Sequence, residues 1–223
     1  MAYVWDFSAV SRNTDVLLAG LGNTVLLSVC GIAVGVVFGG GLAAMRLSGL
    51  RALSWPALAL TEFYRNTPPL VHFFWFFYGL PMALGITLPA FTAALAALGI
   101  QSSAFFAEVF RGGITSVERG QWEAGRALGM GRVRMMRRII LPQAVRRMAA
   151  PFVERSFELV KTTTLAAALA FNDLIYSAMV VTTQTYRPLE VYTAVAVIFF
   201  VVLFSASQVA EWLEARGRRM SAR

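Results

Sequence analysis

The chain has 223 residues, 57% of them hydrophobic and only 14% charged, with a formal net charge of +8 and a mean hydropathy of +0.63. That apolar share exceeds the norm for soluble domains, and several runs pass the roughly 18 residues at which a bilayer span becomes the natural reading. These values exclude a soluble globular domain and predict an all-α polytopic membrane protein with a single transmembrane domain.

Residues 1–15 form an extracytoplasmic N-terminal segment that carries Asp6 and lacks the short basic leader of a cleaved signal, so it is expected to be retained. The first span is predicted over 16–45. Gly31, Gly35 and Gly39 recur within it at every fourth position. That spacing admits a second helix at close range, although glycine is also simply frequent in membrane helices. Cys30, the single cysteine, cannot form an intrachain disulfide and reads as a packing residue. Arg46 and Arg51 mark a short basic turn. The second span, 53–80, contains Glu62, Arg65, Asn66 and Thr67 just before Pro68-Pro69. Two missing backbone donors predict a kink or a fresh helix start there. An uncharged stretch from Pro81 to Pro89 leads into the third span, 90–110. A polar, arginine-rich loop covers 111–147. The fourth span, 148–171, is interrupted by Asn172 and Asp173, with a shorter amphipathic stretch to Val181 at the outer surface. A loop from Thr182 to Pro188 precedes the fifth span, 189–213, and residues 214–223 form a basic tail with Arg216, Arg218, Arg219 and Arg223.

Of the 20 basic residues, 15 fall in three places: Arg46 with Arg51, nine arginines between Arg111 and Arg147, and four between Arg216 and Arg223. The positive-inside bias therefore puts the loop and the C-terminus in the cytoplasm and the N-terminus outside. It also accounts for the net charge with no nucleic acid involved. His72 is the single histidine and makes no metal site alone.

Within the loop, Ser116 is placed to cap a helix over 117–128 and Gly129 to end it as the residue after the cap. Trp122, Ala124, Ala127 and Leu128 are its apolar or small positions, and Glu118, Glu123 and Arg126 its charges. A second helical piece, Arg132 to Ile140, is expected to stop at Pro142. Two short helices at a turn suit a docking knob, while a solvated loop that only sets topology is the plainer alternative.

Here the chain resembles a family. Glu123-Ala124-Gly125, Gly129 and Ile139-Ile140-Leu141-Pro142 are similar to the Glu-Ala-Ala…Gly…Ile-x-Leu-Pro signature of permease subunits of ABC importers. Gly120-Gln121-Trp122-Glu123-Ala124, Leu141-Pro142-Gln143-Ala144, Arg65-Asn66-Thr67-Pro68-Pro69-Leu70, Lys161-Thr162-Thr163-Thr164-Leu165 and Tyr186-Arg187-Pro188-Leu189-Glu190-Val191-Tyr192 resemble its polar-amino-acid branch. The resemblance runs from about Gly20 to Leu213 and implies a type I importer permease fold with five transmembrane helices. It also implies that Glu123, Ala124, Gly125, Leu128, Gly129, Leu141 and Pro142 couple the chain to a cytoplasmic ABC ATPase dimer. ATP and magnesium would sit on that partner and no cofactor on this chain. A second permease subunit, identical or paralogous, a periplasmic or extracellular solute-binding protein and membrane lipid complete the implied partners, in a bacterial inner membrane. ATP binding would close the ATPase pair and swing the docked helices as rigid bodies. Two departures stand out. Gly125 replaces an alanine at a helix-propensity cost of about 1 kcal/mol, and Thr162 stands where many relatives carry aspartate.

Ionisable residues at membrane depth face a cavity or one another. Glu154, Glu158 and Lys161 share a helix face at i, i+4 and i+7, while Glu62 with Arg65, and Glu108 with Arg111, sit one turn apart. The Glu108–Arg111 pair reads as structural. Glu62, Arg65, Asn66, Glu154, Glu158, Lys161 and Thr162 are the candidates for a substrate pathway. The sequence has no Gly-Lys-Ser/Thr phosphate loop, so the chain is expected to be a transport subunit and not an enzyme. An importer of another small polar solute, such as an opine or a sulfur amino acid, is the alternative within the class. A secondary transporter or a membrane scaffold is the alternative outside it, disfavoured by the absence of an internal repeat and by proline-broken, charged spans.

Overall fold

The computed structural model describes residues 3–221, with side chains as far as Trp212. Every regular element among them is helical. In chain order they are α1 (Ser8–Arg12), α2 (Thr14–Leu47), α3 (Arg51–Asn66), α4 (Pro69–Phe74), α5 (Leu80–Leu84), α6 (Ala90–Thr115), α7 (Arg119–Ala127), α8 (Arg132–Met135), α9 (Leu141–Thr162), α10 (Leu174–Thr185) and α11 (Pro188–Ser221). π-helical turns join α4 to α5 (Trp75–Gly79) and α8 to α9 (Met136–Ile140), and a 3-10 segment, Thr163–Leu169, extends α9.

Among the described residues three helices are long and apolar enough to cross a bilayer: Thr14–Leu47, Ala90–Thr115 and Pro188–Trp212. Arg132–Leu169 and Leu174–Thr185 form a further apolar pair bent by 48°, with the geometry of a broken span or a re-entrant loop. The second span, 53–80, is broken at the proline pair, as expected. α3 carries Arg51, Glu62 and Arg65 and ends at Asn66, and Thr67 is extended (φ −109°, ψ 142°). The residue before a proline avoids the helical region, and Pro69 then opens α4 at the position where a missing donor costs nothing.

The packing forms two units. One holds the chain through Cys30, Pro69–Leu98 and Leu159 onward; the other holds Gly31–Pro68 and Gly99–Glu158. In the first, Ala9, Leu17, Leu174, Ala178, Val181, Val191 and Val195 form a buried cluster from α1, α2, α10 and α11. The N-terminal segment is therefore a folded part of this unit and not a tail, its first two residues lying outside the described ones. Glu190, fully buried at the start of α11, accepts hydrogen bonds from the Tyr3 hydroxyl at 2.6 Å and the Asp6 amide at 3.0 Å. Arg187 donates to Glu190 and to the Val4 carbonyl. The bond to Glu190 raises the Tyr3 phenol above its ordinary value, and the amide and hydroxyl of Ser8 lower the Asp6 carboxyl.

The stretch after Asp173 packs one face into this unit: Leu174, Ala178 and Val181 are fully covered, while Met179 on the other face is exposed. Asp173 caps α10 by accepting the Tyr176 amide at 2.7 Å. Thr24 on α2 accepts the Leu174 amide at 3.0 Å, and Asn23 donates to the Asn172 carbonyl at 2.8 Å. Gly20 makes this approach possible, since a Cβ there would lie 2.8 Å from the Asp173 carbonyl oxygen. The expected loop from Thr182 shrinks to Tyr186 and Arg187.

In the second unit the glycine spacing is used as its alternation suggests. A Cβ on Gly35 would meet Ser102 Cβ at 2.8 Å, and one on Gly39 the Ser103 carbonyl at 2.8 Å. α2 and α6 touch along these small residues, as closely packed membrane helices do. α6 runs five residues past the expected end of the third span, to Thr115. α11 extends through the expected boundary at 213 to Ser221. The side chains of Arg216, Arg218 and Arg219, and the whole of Arg223, lie outside the described residues.

Candidate functional site

The helix expected over 117–128 is α7, shorter at its start: it begins at Arg119 after Glu118. Ser116 does not cap it. Its hydroxyl donates back to the Gly113 carbonyl at 2.8 Å, because α6 continues far enough to offer a nearer acceptor. The C-terminus is as predicted. Gly129 has φ +67°, its amide reaches the Arg126 carbonyl at 2.9 Å, and the Met130 amide reaches the Gly125 carbonyl at 3.1 Å. That pair of bonds is a Schellman motif, which satisfies carbonyls the helix end would leave orphaned.

Pro142 does not end the second piece. α8 passes through the π turn Met136–Ile140 straight into α9, with Pro142 in its first turn. The π turn closes with the Leu141 amide on the Met136 carbonyl, immediately before the residue that cannot donate, so the helix carries through. Val117, Met135, Ile140, Ala144 and Met148 are buried together beneath this joint, with Trp122, Met130 and Ile139 packed on them. Gln143 donates to Gln121 at 3.3 Å and to the Ile139 carbonyl at 3.0 Å. Arg147 donates to the Ser116 carbonyl and reaches Glu118 at 3.6 Å. α7 is thus fastened to the base of α9.

Gly125 is a close approach within that fastening. It is buried, and a Cβ there would stand 2.7 Å from Met135 Sδ and 3.0 Å from Met135 Cγ. A methyl at this position would therefore require Met135 to shift, which sets a packing cost against the propensity that alanine would regain. Met135, Gln143 and Arg147 carry the brace and were not singled out by sequence reasoning, although Gln121 and Gln143 both lie in the motif words. The remaining loop candidates separate by exposure. Glu123, Ala124, Leu128, Gly129 and Pro142 are exposed, Leu128 by 77%, while Leu141 is half-buried.

The charged candidates assemble around a residue read only as structural. Glu108 on α6 pairs with Arg111 Nη2 at 2.8 Å, with Arg46 from the end of α2, and with Arg65 of α3 at 3.9 Å. Arg65 also reaches Glu62 at 3.3 Å, and Asn66 donates to the Glu62 carboxylate at 3.1 Å. Glu62, Arg65 and Asn66 thus belong to one network, with Arg46 as the member the sequence reading treated only as a topological marker. On α9, Glu154, Glu158 and Lys161 share an exposed stripe. Arg155 pairs with Glu158 at 2.6 Å and lies 4.9 Å over the Phe105 ring. Lys161 and Thr162 stand where the α-helix tightens into the 3-10 segment, a change of pitch that often marks a hinge. Among the described residues no cluster of histidine, cysteine and carboxylates could hold a metal.

Apolar membrane-length helices, an all-helical topology among the described residues and a braced polar loop between α6 and α9 define a permease of the type I ABC importer fold. The chain belongs to the family described as binding-protein-dependent transport system inner membrane component, whose model matches residues 17–219. It is a transport subunit and not an enzyme. A probable glutamine ABC transporter permease of Bacillus subtilis is 38% identical, covering 95% of this chain and 97% of that protein. An octopine transport system permease of Rhizobium radiobacter is 34% identical over 92% and 89%. A crystal structure of an amino acid ABC transporter with histidines superposes with a TM-score of 0.91 at 33% identity, covering 96% of this chain and all of that one. The permease of an inward-facing methionine ABC transporter, 17% identical, has a TM-score of 0.76 and shares the fold.

Proposed function

We propose that this chain forms the translocation pathway for a polar amino acid, driven by a cytoplasmic ABC ATPase dimer that grips α7. The single observation that carries the docking reading is the split character of α7: Gly125 is locked against Met135, while Leu128 stands 77% exposed beside Glu123 and Ala124. An exposed leucine on an otherwise polar, rigidly braced helix suits a partner's cleft. The braced base then lets a push on α7 pass into α9 without being absorbed by a flexible joint. ATP and magnesium belong to the ATPase partner.

The proposed arrangement has five crossings in the inner membrane, α3 to α5 together making the second. The N-terminus is outside and the arginine-rich loop and C-terminus are cytoplasmic. Loop charge supports this orientation. A second permease subunit, identical or related, and a solute-binding protein complete the importer. The names of the glutamine and amino acid relatives support the cargo class, with the opine-carrying relative marking the alternative. Glu62, Arg65 and Asn66, and the α9 stripe of Glu154, Glu158, Lys161 and Thr162, are proposed to border the path.

The test is co-purification of the ATPase with Leu128→Asp and Glu123→Arg. Both positions are exposed, so the permease should still insert and fold while ATPase capture falls at least tenfold. Capture at wild-type levels with both variants would overturn the docking assignment. Separately, Lys161→Ala and Glu158→Ala should reduce ATP-driven amino acid uptake in vesicles with assembly intact; unchanged uptake in both removes these residues from the path.

A further inference from the structure

Two concavities adjoin each other at the root of the braced loop, and they differ in character. One, of about 560 Å³, is mostly apolar, floored by Leu47, Ile114, Val117, Trp122 and Met136 and flanked by Arg132 and Arg137. The other, of about 650 Å³, is lined by Gly131, Val133 and the arginines Arg132, Arg134, Arg137 and Arg138. Arg132, Val133 and Arg137 line both. No carboxylate lines either one. Among the described residues none of these four arginines makes an ion pair, whereas Arg46, Arg65, Arg111, Arg147 and Arg155 all do.

Four guanidinium groups gathered with no counter-charge repel one another, and such a cluster gains most from an anion that several can grip at once. Its apolar neighbour begins where membrane helices end: Leu47 is the last residue of α2 and Thr115, beside Ile114, the last of α6. A ligand matched to both cavities has an anionic head and an apolar tail, and must be at hand where two spans leave the bilayer. We propose that this paired groove is a binding site for an anionic membrane phospholipid. Its phosphate sits among Arg132, Arg134, Arg137 and Arg138 and its acyl chain lies along Leu47, Ile114 and Met136. Basic pockets at the cytoplasmic ends of membrane helices hold lipid headgroups by this chemistry. An acidic surface of the ATPase would satisfy the arginines but leave the apolar groove unfilled, so the lipid is the better fit. This inference rests on the proposed orientation with the loop in the cytoplasm. Because Arg132 to Arg138 also form the stalk of the braced loop, an occupied site would link the lipid composition of the inner leaflet to the stiffness of the coupling element.

The test uses the full chain assembled with its ATPase in nanodiscs of phosphatidylglycerol and phosphatidylcholine. Lipid retained after transfer to detergent is counted by native mass spectrometry. Wild type should retain phosphatidylglycerol in preference to phosphatidylcholine. Arg137→Gln should lower that retention about fivefold, and Arg132→Gln/Arg137→Gln/Arg138→Gln by roughly a hundredfold, at about 1 kcal/mol per arginine. Leu128→Asp, which strikes the docking face and not this groove, should leave lipid retention unchanged even where ATPase capture is lost. Retention of phosphatidylglycerol unaltered in the triple variant would overturn the proposal. So would loss of the ATPase in that variant with lipid retained, which would assign the arginines to protein docking. Protection of the arginines from phenylglyoxal by inorganic phosphate as effectively as by the lipid would assign the site to a soluble anion and overturn the acyl-chain half.

Discussion

The two units fasten a central carboxylate by different means: Glu108 is half-buried and Glu190 fully buried. Glu108 is held by charge: three arginines from α2, α3 and α6 converge on one side chain. Glu190 is held mostly by hydrogen bonds, from a phenol and a backbone amide, with a single arginine at 3.4 Å. The first arrangement ties the ends of three long helices and fails as a whole when its centre is removed, because three cations are left facing each other. The second pins the short N-terminal stretch onto α11, and each donor can be lost singly. The loop between α6 and α9 shows a third means, apolar packing around Gly125 and Met135 with the polar contacts at its margin. Where the proposed function requires force to be carried, the protein relies on close packing.

This contrast can be broken outright at its charged end. Glu108→Gln should have the largest effect, about 2 kcal/mol of destabilisation, because the network is only half-buried and solvent screens part of it, read as a loss of folded protein in detergent by size-exclusion-coupled thermal unfolding. A shift no larger than that of a surface control would show that Glu108 is not the centre of its network. Next comes the packed joint. Gly125→Ala should gain about 1 kcal/mol in helix propensity and lose about 2 kcal/mol to overpacking, a net cost of about 1 kcal/mol. In a Met135→Ala background the same substitution should become stabilising by about 1 kcal/mol. No change of sign between the two backgrounds would dissociate Gly125 from Met135.

The smallest effect belongs to the clasp. Tyr3→Phe keeps the edge-on ring contact with Trp5, at 5.6 Å between centroids, and removes only the bond to Glu190. Unfolding temperature should fall by less than for either change above. Because the phenol is raised in the folded protein, its contribution is complete below the ordinary tyrosine value and fades as pH climbs through the raised one. Ultraviolet titration of phenolate should therefore show one fewer late-ionising tyrosine in Tyr3→Phe; loss of a tyrosine from the ordinary range, with the late amplitude unchanged, would contradict the assignment.

The parts legible in the sequence are those set by neighbours along the chain. The Gly35 and Gly39 spacing, the remaking of the helix at Pro68-Pro69 and the Gly129 cap all follow from local backbone chemistry, and all appear. What local reading missed depends on partners brought together by the fold. Arg46 lies 62 positions from Glu108, and Tyr3 lies 187 from Glu190, beyond any periodicity. Pro142 was misread for a subtler reason: proline forbids one bond, and the chain kept its helix by changing the ring size just before it. Gly125 looked like a weakness because propensity was visible and Met135's position was not.

The unbroken passage through Pro142 has a mechanical corollary. α9 has 22 residues, about 33 Å at 1.5 Å per residue, with the knob's anchor at one end and Lys161-Thr162 at the other. A lever of that length multiplies small angles: tilting it by about ten degrees sweeps the far tip through roughly 6 Å, more than the diameter of a water molecule. In the proposed importer, a stroke of a few ångströms at the docked helix would thereby displace Lys161 and Thr162 by a comparable distance.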